Sequence, residues 1–276
     1  MEASVITSIY PEDLRGYMSS HRERRYTLLD VRETEEYEQE HIPGALNLPL
    51  SELEDRLEDI PRDKDLVVYC RSGRRSMAGA ALITEQAEQR VPSVYNLSGG
   101  ITAWEGKILE DIPRISLFDD QDDFLTVLHR AADMEKGAYA FYSAITQRLP
   151  RSPLAPTVEN LQEMEHKHAR AVHAMMARHG DVAPFEEFFA GLPGQIVEGG
   201  MDLEDLLDAN RWTEIGGCMA LAEIAMDIEY RAFDLYKHLA SRSEDPEQEQ
   251  ALLFLSEQEK THIRILAKGL RGCVEA

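Results

Sequence analysis

Two hydrophobic rhythms divide the chain. Up to about residue 112, apolar residues come in short runs separated by polar turns. Tyr26-Thr-Leu-Leu-Asp-Val31, Leu66-Val-Val-Tyr69 and Ser93–Leu97 are too short for helices and read as buried strands, with a further β-prone run at Ser4–Ser8. Between them, Pro11–Ser20, the acidic turn Glu33–Glu40 and Met77–Gln89 read as helices, and a short helix surrounds Trp104. Such alternation predicts an α/β domain with a parallel sheet covered by helices. Asp111–Asp123, with Pro113 and the cluster Asp119-Asp120-Gln-Asp122-Asp123, breaks the pattern. That acidic cluster also suits a helix N-terminus. Domains 1–114 and 115–276 follow.

Beyond the break, the apolar spacing is helical. Four long helices are predicted over Phe124–Arg148, Pro156–His179, Arg211–Ser243 and Pro246–Gly269. Residues 181–210 hold Pro184, Pro193 and several glycines, with short helical pieces at 185–190 and 202–209. One long connection between the second and third helices predicts an all-α four-helix bundle with a single crossover.

Composition narrows the function. A formal charge of −22 over 276 residues disfavours nucleic acid and anionic membranes. No apolar run reaches the roughly 18 residues of a membrane span, and Met-Glu-Ala-Ser lacks the basic start and apolar stretch expected of a signal peptide. Cys70, Cys218 and Cys273 are few, odd in number and far apart. A disulfide framework is not expected, and a cytoplasmic setting is.

The helical half repeats itself. Asp133-Met-Glu135-Lys-Gly-Ala-Tyr-Ala-Phe-Tyr142 aligns with Asp227-Ile-Glu229-Tyr-Arg-Ala-Phe-Asp-Leu-Tyr236. Thirty residues after each leading glutamate comes a Glu-x-x-His pair, Glu165 with His168 and Glu259 with His262. Positions i and i+3 share a helix face, so each pair aims a carboxylate and an imidazole at one spot. Four carboxylates and two imidazoles suit iron(II/III), or manganese, better than copper(I). Two divalent cations would neutralise carboxylates that otherwise repel one another in a poorly solvated core. Tyr142 and Tyr236, two turns past the leading glutamates, either donate supporting hydrogen bonds or pack in the core. His129, His166, His173, His179 and His238 read as off-face, surface or helix-end residues.

Over roughly residues 116–276 this pattern resembles the rubrerythrin branch of the ferritin-like superfamily. The resemblance implies Glu135, Glu165, His168, Glu229, Glu259 and His262 as ligands of two iron ions, with Glu165 and Glu259 bridging. Two departures stand out. Rubrerythrins carry another glutamate three residues after the leading one on the third helix, where this chain has Ala232, and the cysteines of a rubredoxin-like centre are missing.

In the first half, Cys70-Arg-Ser-Gly-Arg-Arg75-Ser76 follows an apolar strand and precedes a helix. Such a loop turns successive N–H groups inward beside a positive helix end, which stabilises a thiolate or a bound oxyanion. Arg71, Arg74 and Arg75 add positive charge, and Ser72 and Gly73 complete the cradle. Leu29-Asp30-Val-Arg32, Glu40-His41-Ile-Pro-Gly-Ala45, Cys70–Arg75 and Ser98-Gly-Gly-Ile-Thr-Ala-Trp104 together resemble a single rhodanese domain. The resemblance implies Cys70 as nucleophile carrying sulfane sulfur as a persulfide, with Asp30 and Arg32 as structural supports. A six-residue loop matches sulfur transfer; the related cell-cycle phosphatases use a loop one residue longer. Cys218 reads as a small core residue or as an acceptor of sulfur from Cys70, and Cys273 as incidental.

The expected protein is thus a sulfurtransferase fused to a di-iron module that does oxygen, peroxide or sulfur redox chemistry. It would take a donor such as thiosulfate or a persulfide, a thiol acceptor and an unnamed electron donor, and by analogy form a homodimer. The alternative is an iron-storage bundle with the rhodanese domain as sulfur supplier or docking module.

Overall fold

The computed structural model describes residues 6–61, 63–86, 91–110, 118, 122–148, 150–207 and 218–274. The chain divides into two compact units, Met1–Ile112 with Lys237–Ser243, and Pro113–Tyr236 with Glu244–Ala276. The expected boundary near residue 114, together with Asp119, Asp120 and residues 211–217, lies outside the described residues.

The first unit is an α/β domain. It runs β1 (Thr7–Ile9), α1 (Pro11–Ser20), β2 (Tyr26–Asp30), α2 (Thr34–Gln39), β3 (Ala45–Asn47), β4 (Asp65–Tyr69), α3 (Arg74–Gln86) and β5 (Val94–Leu97). The five strands form a parallel sheet in the order β1-β5-β4-β2-β3. Alternate side chains leave opposite faces of a strand, and here both faces are covered. Val67 and Tyr69 of β4 enter one core with Leu28, Tyr37 and Ile42. Leu66, Val68 and Cys70 enter the other with Leu29, Val31, Ala80 and Ile83. This explains why β2 and β4 are apolar without alternation. Sequence reasoning missed β3, whose three residues are too few to show a pattern. It also began the helix after the cysteine loop three residues late. α3 opens at Arg74, so Arg74, Arg75 and Ser76 form its first turn.

The second unit is helical. α4 spans Phe124–Arg148, as expected, and Asp123 Oδ1 accepts the Thr126 N–H at 2.8 Å to cap it. α5 spans Ala155–Met176, with Pro156 in its first turn, where the missing N–H costs nothing. Two short helices follow, α6 (Phe185–Gly191) and α7 (Leu203–Leu207). Between them β6 (Ile196–Val197) pairs antiparallel with β7 (Met201–Asp202), a hairpin the periodicity did not reveal. α8 spans Cys218–Arg242, and α9 spans Pro246–Val274, five residues past the expected end. One apolar core draws on all four long helices, through Ala138, Phe141 and Ile145, Val158 and Leu161, Ala222, Ala225 and Ile228, and Leu266.

The structure overturns one expectation. Cys218 and Cys273 form a disulfide across 55 residues of sequence. Cys218 is therefore not a free acceptor of sulfur and Cys273 is not incidental. Cysteine usage no longer supports a reducing compartment. Among the described residues no helix is long and apolar enough to cross a membrane.

Candidate functional site

The six expected donors converge. α4 supplies Glu135, α5 Glu165 and His168, α8 Glu229, and α9 Glu259 and His262, and all six are buried. His262 Nδ1 lies 2.9 Å from Glu229 Oε2 and 3.2 Å from carboxylate oxygens of both Glu165 and Glu259. His168 Nδ1 lies 3.4 Å from Glu165 and 3.5 Å from Glu135. The two imidazoles stack with centroids 4.7 Å apart. Overlapping trios fall within metal-binding reach of one another: Glu165, His168 and His262; Glu135, His168 and Glu259; Glu229, Glu259 and His262.

A seventh group joins them. Glu198, just after β6, is fully buried and forms a fourth trio with Glu135 and Glu165. Sequence reasoning missed it because it lies in the glycine-rich crossover, outside the repeat. Its one local mark is a glutamate followed by Gly199-Gly200.

These carboxylates are poorly matched to hydrogen bonding alone. Both oxygens of Glu135, Glu165 and Glu259, and Oε2 of Glu198, have no hydrogen-bond partner. Burial and mutual repulsion push Glu198 well above the usual carboxylate range. Burial does the same to Glu165 and Glu259, along with repulsion from neighbouring glutamates. For Glu229, burial is outweighed by His262 and by donated hydrogen bonds, and the net direction is down. Burial pulls His262 down, but Glu165 and Glu229 lift it to about 9. Unpartnered buried carboxylates are costly, and hard oxygen with imidazole donors fits divalent iron or manganese. The donor set therefore fits a pair of such cations.

The two repeat tyrosines are placed on this cluster. Tyr142 donates to Glu229 Oε1, and Tyr236 donates to Glu198 Oε1 at 3.1 Å. The other described histidines of this unit lie elsewhere. His166 packs edge-on to Phe185 and Phe189, His129 to Phe188, His173 Nε2 is 2.8 Å from the Ala183 carbonyl, and His179 is 3.2 Å from Glu247.

In the first unit, Cys70 sits where β4 ends, at the carboxyl edge of the sheet, the usual binding edge of such folds. Its thiol is free. The Gly73 N–H donates to Cys70 Sγ at 3.2 Å, and the Ser76 hydroxyl lies 3.5 Å from it. Burial pushes the thiol up. The Ser76 hydroxyl and the N–H groups of Ser76, Ser72 and Gly73 more than offset it, and the net direction is down. The Ser76 hydroxyl, in the first turn of α3, and the loop N–H groups thus act together on Cys70 Sγ.

The loop is held from behind. Ile101 N–H donates to the Cys70 carbonyl at 2.8 Å, and Thr102 donates to the Arg71 carbonyl through N–H at 3.1 Å and Oγ1 at 2.7 Å. Gly100 permits this approach: with φ +60°, an added Cβ would stand 2.2 Å from the Cys70 oxygen. The Ser98–Trp104 stretch therefore buttresses the Cys70 loop. Asn96 links the parts, accepting from Ser76 at 2.6 Å and donating to the Gly73 carbonyl at 3.2 Å. A buried asparagine inside an apolar strand was the signal for it.

The remaining expected residues divide. Arg71, Ser72 and Arg74 are exposed around the cysteine. Arg75 instead makes a two-pronged pair with Glu36 at 2.6 and 2.7 Å. Its charge is committed to the first turn of α2, a partnership sequence reasoning did not foresee. Asp30 and Arg32 form a buried pair, with Arg32 Nη2 2.7 Å from Asp30 Oδ2 and 2.6 Å from the Glu40 carbonyl. Asp30 lies opposite Tyr69 in the sheet register, one residue from Cys70.

Residues 11–107 match the rhodanese-like domain family. Over 77 residues the chain is 46% identical to a sulfurtransferase of Allochromatium vinosum, covering 28% of this chain and 69% of that protein. Over 84 residues it is 34% identical to a thiosulfate sulfurtransferase of Coxiella burnetii, covering 30% of this chain and 76% of that one. A rhodanese-related protein of Thermoplasma volcanium is 30% identical, with a TM-score of 0.32, covering 37% of this chain and 97% of that chain. A free cysteine on an N–H cradle at the carboxyl edge of a parallel sheet is the centre of the matched segment, and through residues 11–107 the chain belongs to the rhodanese-like family.

Proposed function

We propose that the chain is a sulfurtransferase that carries sulfane sulfur on Cys70, joined to a ferritin-like bundle that holds two iron ions. The observation that carries the first part is the Cys70 thiol, whose ionised form is favoured by Ser76, Gly73 and the loop amides. The names of the relatives support the same chemistry.

The thiolate of Cys70 attacks the outer sulfur of a donor such as thiosulfate. The donor's S–S bond breaks, sulfite leaves with the electron pair, and Cys70 holds a persulfide. The loop N–H groups stabilise the negative charge on the outer sulfur. A thiol acceptor, or cyanide in the assay, then takes that sulfur and regenerates the thiolate. Arg71 and Arg74, exposed beside the loop, attract an anionic donor.

In the second part, Glu135, Glu165, His168, Glu229, Glu259 and His262 would hold the cations, which supply one-electron redox chemistry toward oxygen, peroxide or a sulfur species. The unpartnered buried carboxylate oxygens support this reading. Tyr142 fixes the orientation of Glu229, and the apolar core around the cluster keeps water out. The electron donor and a homodimeric state belong to the same proposal.

The test is cyanide-dependent sulfur transfer from thiosulfate with metal analysis of the same preparation. Expected are thiocyanate formation that disappears in Cys70→Ser, and two iron ions per chain that are lost in Glu165→Ala. Activity that survives Cys70→Ser would refute the first part. Fewer than one metal per chain in the wild type would refute the second.

A further inference from the structure

We propose that Glu198, carried by the crossover between the second and third long helices, is a seventh ligand of the metal pair, completing the half of the site that contains Glu135. The proposal rests on the two-cation reading above and goes beyond the six donors that the sequence repeat supplies.

The path of the chain is the first observation. Gly194 N–H donates to Asp133 Oδ1 at 2.7 Å, which ties the crossover to α4. β6 then crosses α4 at Gly137, where an added Cβ would stand 2.1 Å from the Ile196 carbonyl. Gly199, at φ +75°, meets α8: its added Cβ would be 2.4 Å from Arg231 Cβ and 3.1 Å from the Ala232 nitrogen. A hairpin tip is thus pressed against two helices, at positions where only glycine fits. Glu198 sits at that tip, fully buried. A loop normally keeps its charged residues in water, so a carboxylate delivered inward at this steric cost has a purpose there.

The second observation is broken symmetry. The repeat relates Glu135 to Glu229 and Tyr142 to Tyr236. Tyr142 donates to Glu229, so the repeat predicts that Tyr236 donates to Glu135. It donates instead to Glu198 Oε1. Glu135 keeps both oxygens without a hydrogen-bond partner, and Glu198 keeps Oε2 without one, within the trio that also contains Glu165. The crossover carboxylate has taken the tyrosine and added an open oxygen to one half only.

The third observation is the space for it. Residues three beyond the leading glutamates share their helix face. They are Ala138 and Ala232, both fully buried. The Glu198–Gly200 tip lies against Ala232, so a small side chain on α8 leaves room for a ligand that arrives from another segment.

The experiment strips the full-length protein of metal with a chelator and titrates it anaerobically with cobalt(II). Calorimetry reads affinity and stoichiometry, and visible absorption reads coordination number. The variants are Glu198→Ala, the near-isosteric Glu198→Gln, and Glu204→Gln on the surface as control. Expected is two cobalt ions per wild-type and control chain. In both Glu198 variants the weaker ion should lose more than about tenfold in affinity, since even an outer partner of a ligand costs that much. The absorption should strengthen as the coordination number drops. Circular dichroism checks the fold, and Glu198→Gln carries the test if the alanine variant does not fold. Two ions bound with unchanged affinity and spectrum in Glu198→Gln would overturn the seventh ligand while leaving the metal pair standing. No cobalt bound by the wild type would overturn the metal pair, and this proposal with it.

Discussion

Replacing Ser76 by alanine should raise the Cys70 thiol midpoint by about half to one pH unit. A hydrogen bond to a charged group is worth about 1.5–3 kcal/mol, and one pH unit corresponds to about 1.4 kcal/mol, so an undivided bond would give roughly one to two units. The hydroxyl has a single proton, however, and two acceptors. It lies 2.6 Å from Asn96 Oδ1 and 3.5 Å from Cys70 Sγ. Asn96 takes the larger share when the sulfur is neutral, which cuts the expected effect to about half of that. The N–H groups of Gly73, Ser72 and Ser76 remain in the variant. The Ser76→Ala midpoint should therefore rise while keeping the share of the stabilisation that those N–H groups supply. The assay is ultraviolet thiolate absorbance against pH, as wild type minus Cys70→Ser. In the oxidised protein the other two cysteines are paired and silent. Sulfur transfer at neutral pH should fall with the thiolate fraction and recover as pH is raised. A midpoint that stays put or falls in Ser76→Ala would refute the Ser76 hydroxyl as a cause of thiolate stabilisation.

Three further outcomes follow from other parts of the molecule. Gly100→Ala puts a Cβ 2.2 Å from the Cys70 carbonyl at a positive φ. Left-handed strain and overpacking together should cost about 2–4 kcal/mol, seen as a lower denaturation midpoint with loss of sulfur transfer; unchanged values of both would refute the buttress. Reducing the Cys218–Cys273 disulfide, which spans 55 residues, should cost about 4 kcal/mol by loop entropy, and an unchanged melt of the helical signal after reduction would refute that role. In chelated protein, Glu165, Glu198 and Glu259 lie above the carboxylate range and His262 at about 9. Groups raised on folding stabilise at low pH and lose that contribution as pH rises through their folded values. The metal-free melting temperature should therefore fall between about pH 5 and pH 9, and iron(II) or manganese(II) should flatten the slope by replacing protons; a metal-free melt that rises over that window would refute the buried-carboxylate account.

What was legible in the sequence had either contiguity or repetition. The Cys70 loop is a contiguous string, so residue order alone located the thiol, its amides and the helix behind it. The six donors of the helical half are far apart, but they occur twice at the same spacing, and chance seldom sets matching carboxylates and imidazoles on the buried faces of two helix pairs. Residues with neither property stayed hidden. Glu36 captures Arg75 across 39 positions with no motif to announce it. Cys218 and Cys273 looked solitary because a pairing across two helix ends leaves no local trace. Asn96 was visible only as a polar interruption of an apolar strand.

Glu198 shows how repetition itself can mislead. Two equal halves imply a two-fold site, and Tyr142 and Tyr236 would then have equivalent partners. The crossover occurs once, between the halves, and any side chain it inserts must break that equivalence. Its prolines and glycines read as a loop, yet the positive φ of Gly199 and Gly200 turns the chain tightly enough to bring Glu198 inward. Glycine at Gly137 and alanine at Ala232 look like unremarkable small residues on their own helices. Their size matters only because a third segment lies against them. A helical periodicity records which face of a helix is buried, but not what buries it. The asymmetry of the carboxylate cluster is therefore encoded in small residues that open a gap, and in one glutamate on the crossover segment that fills it.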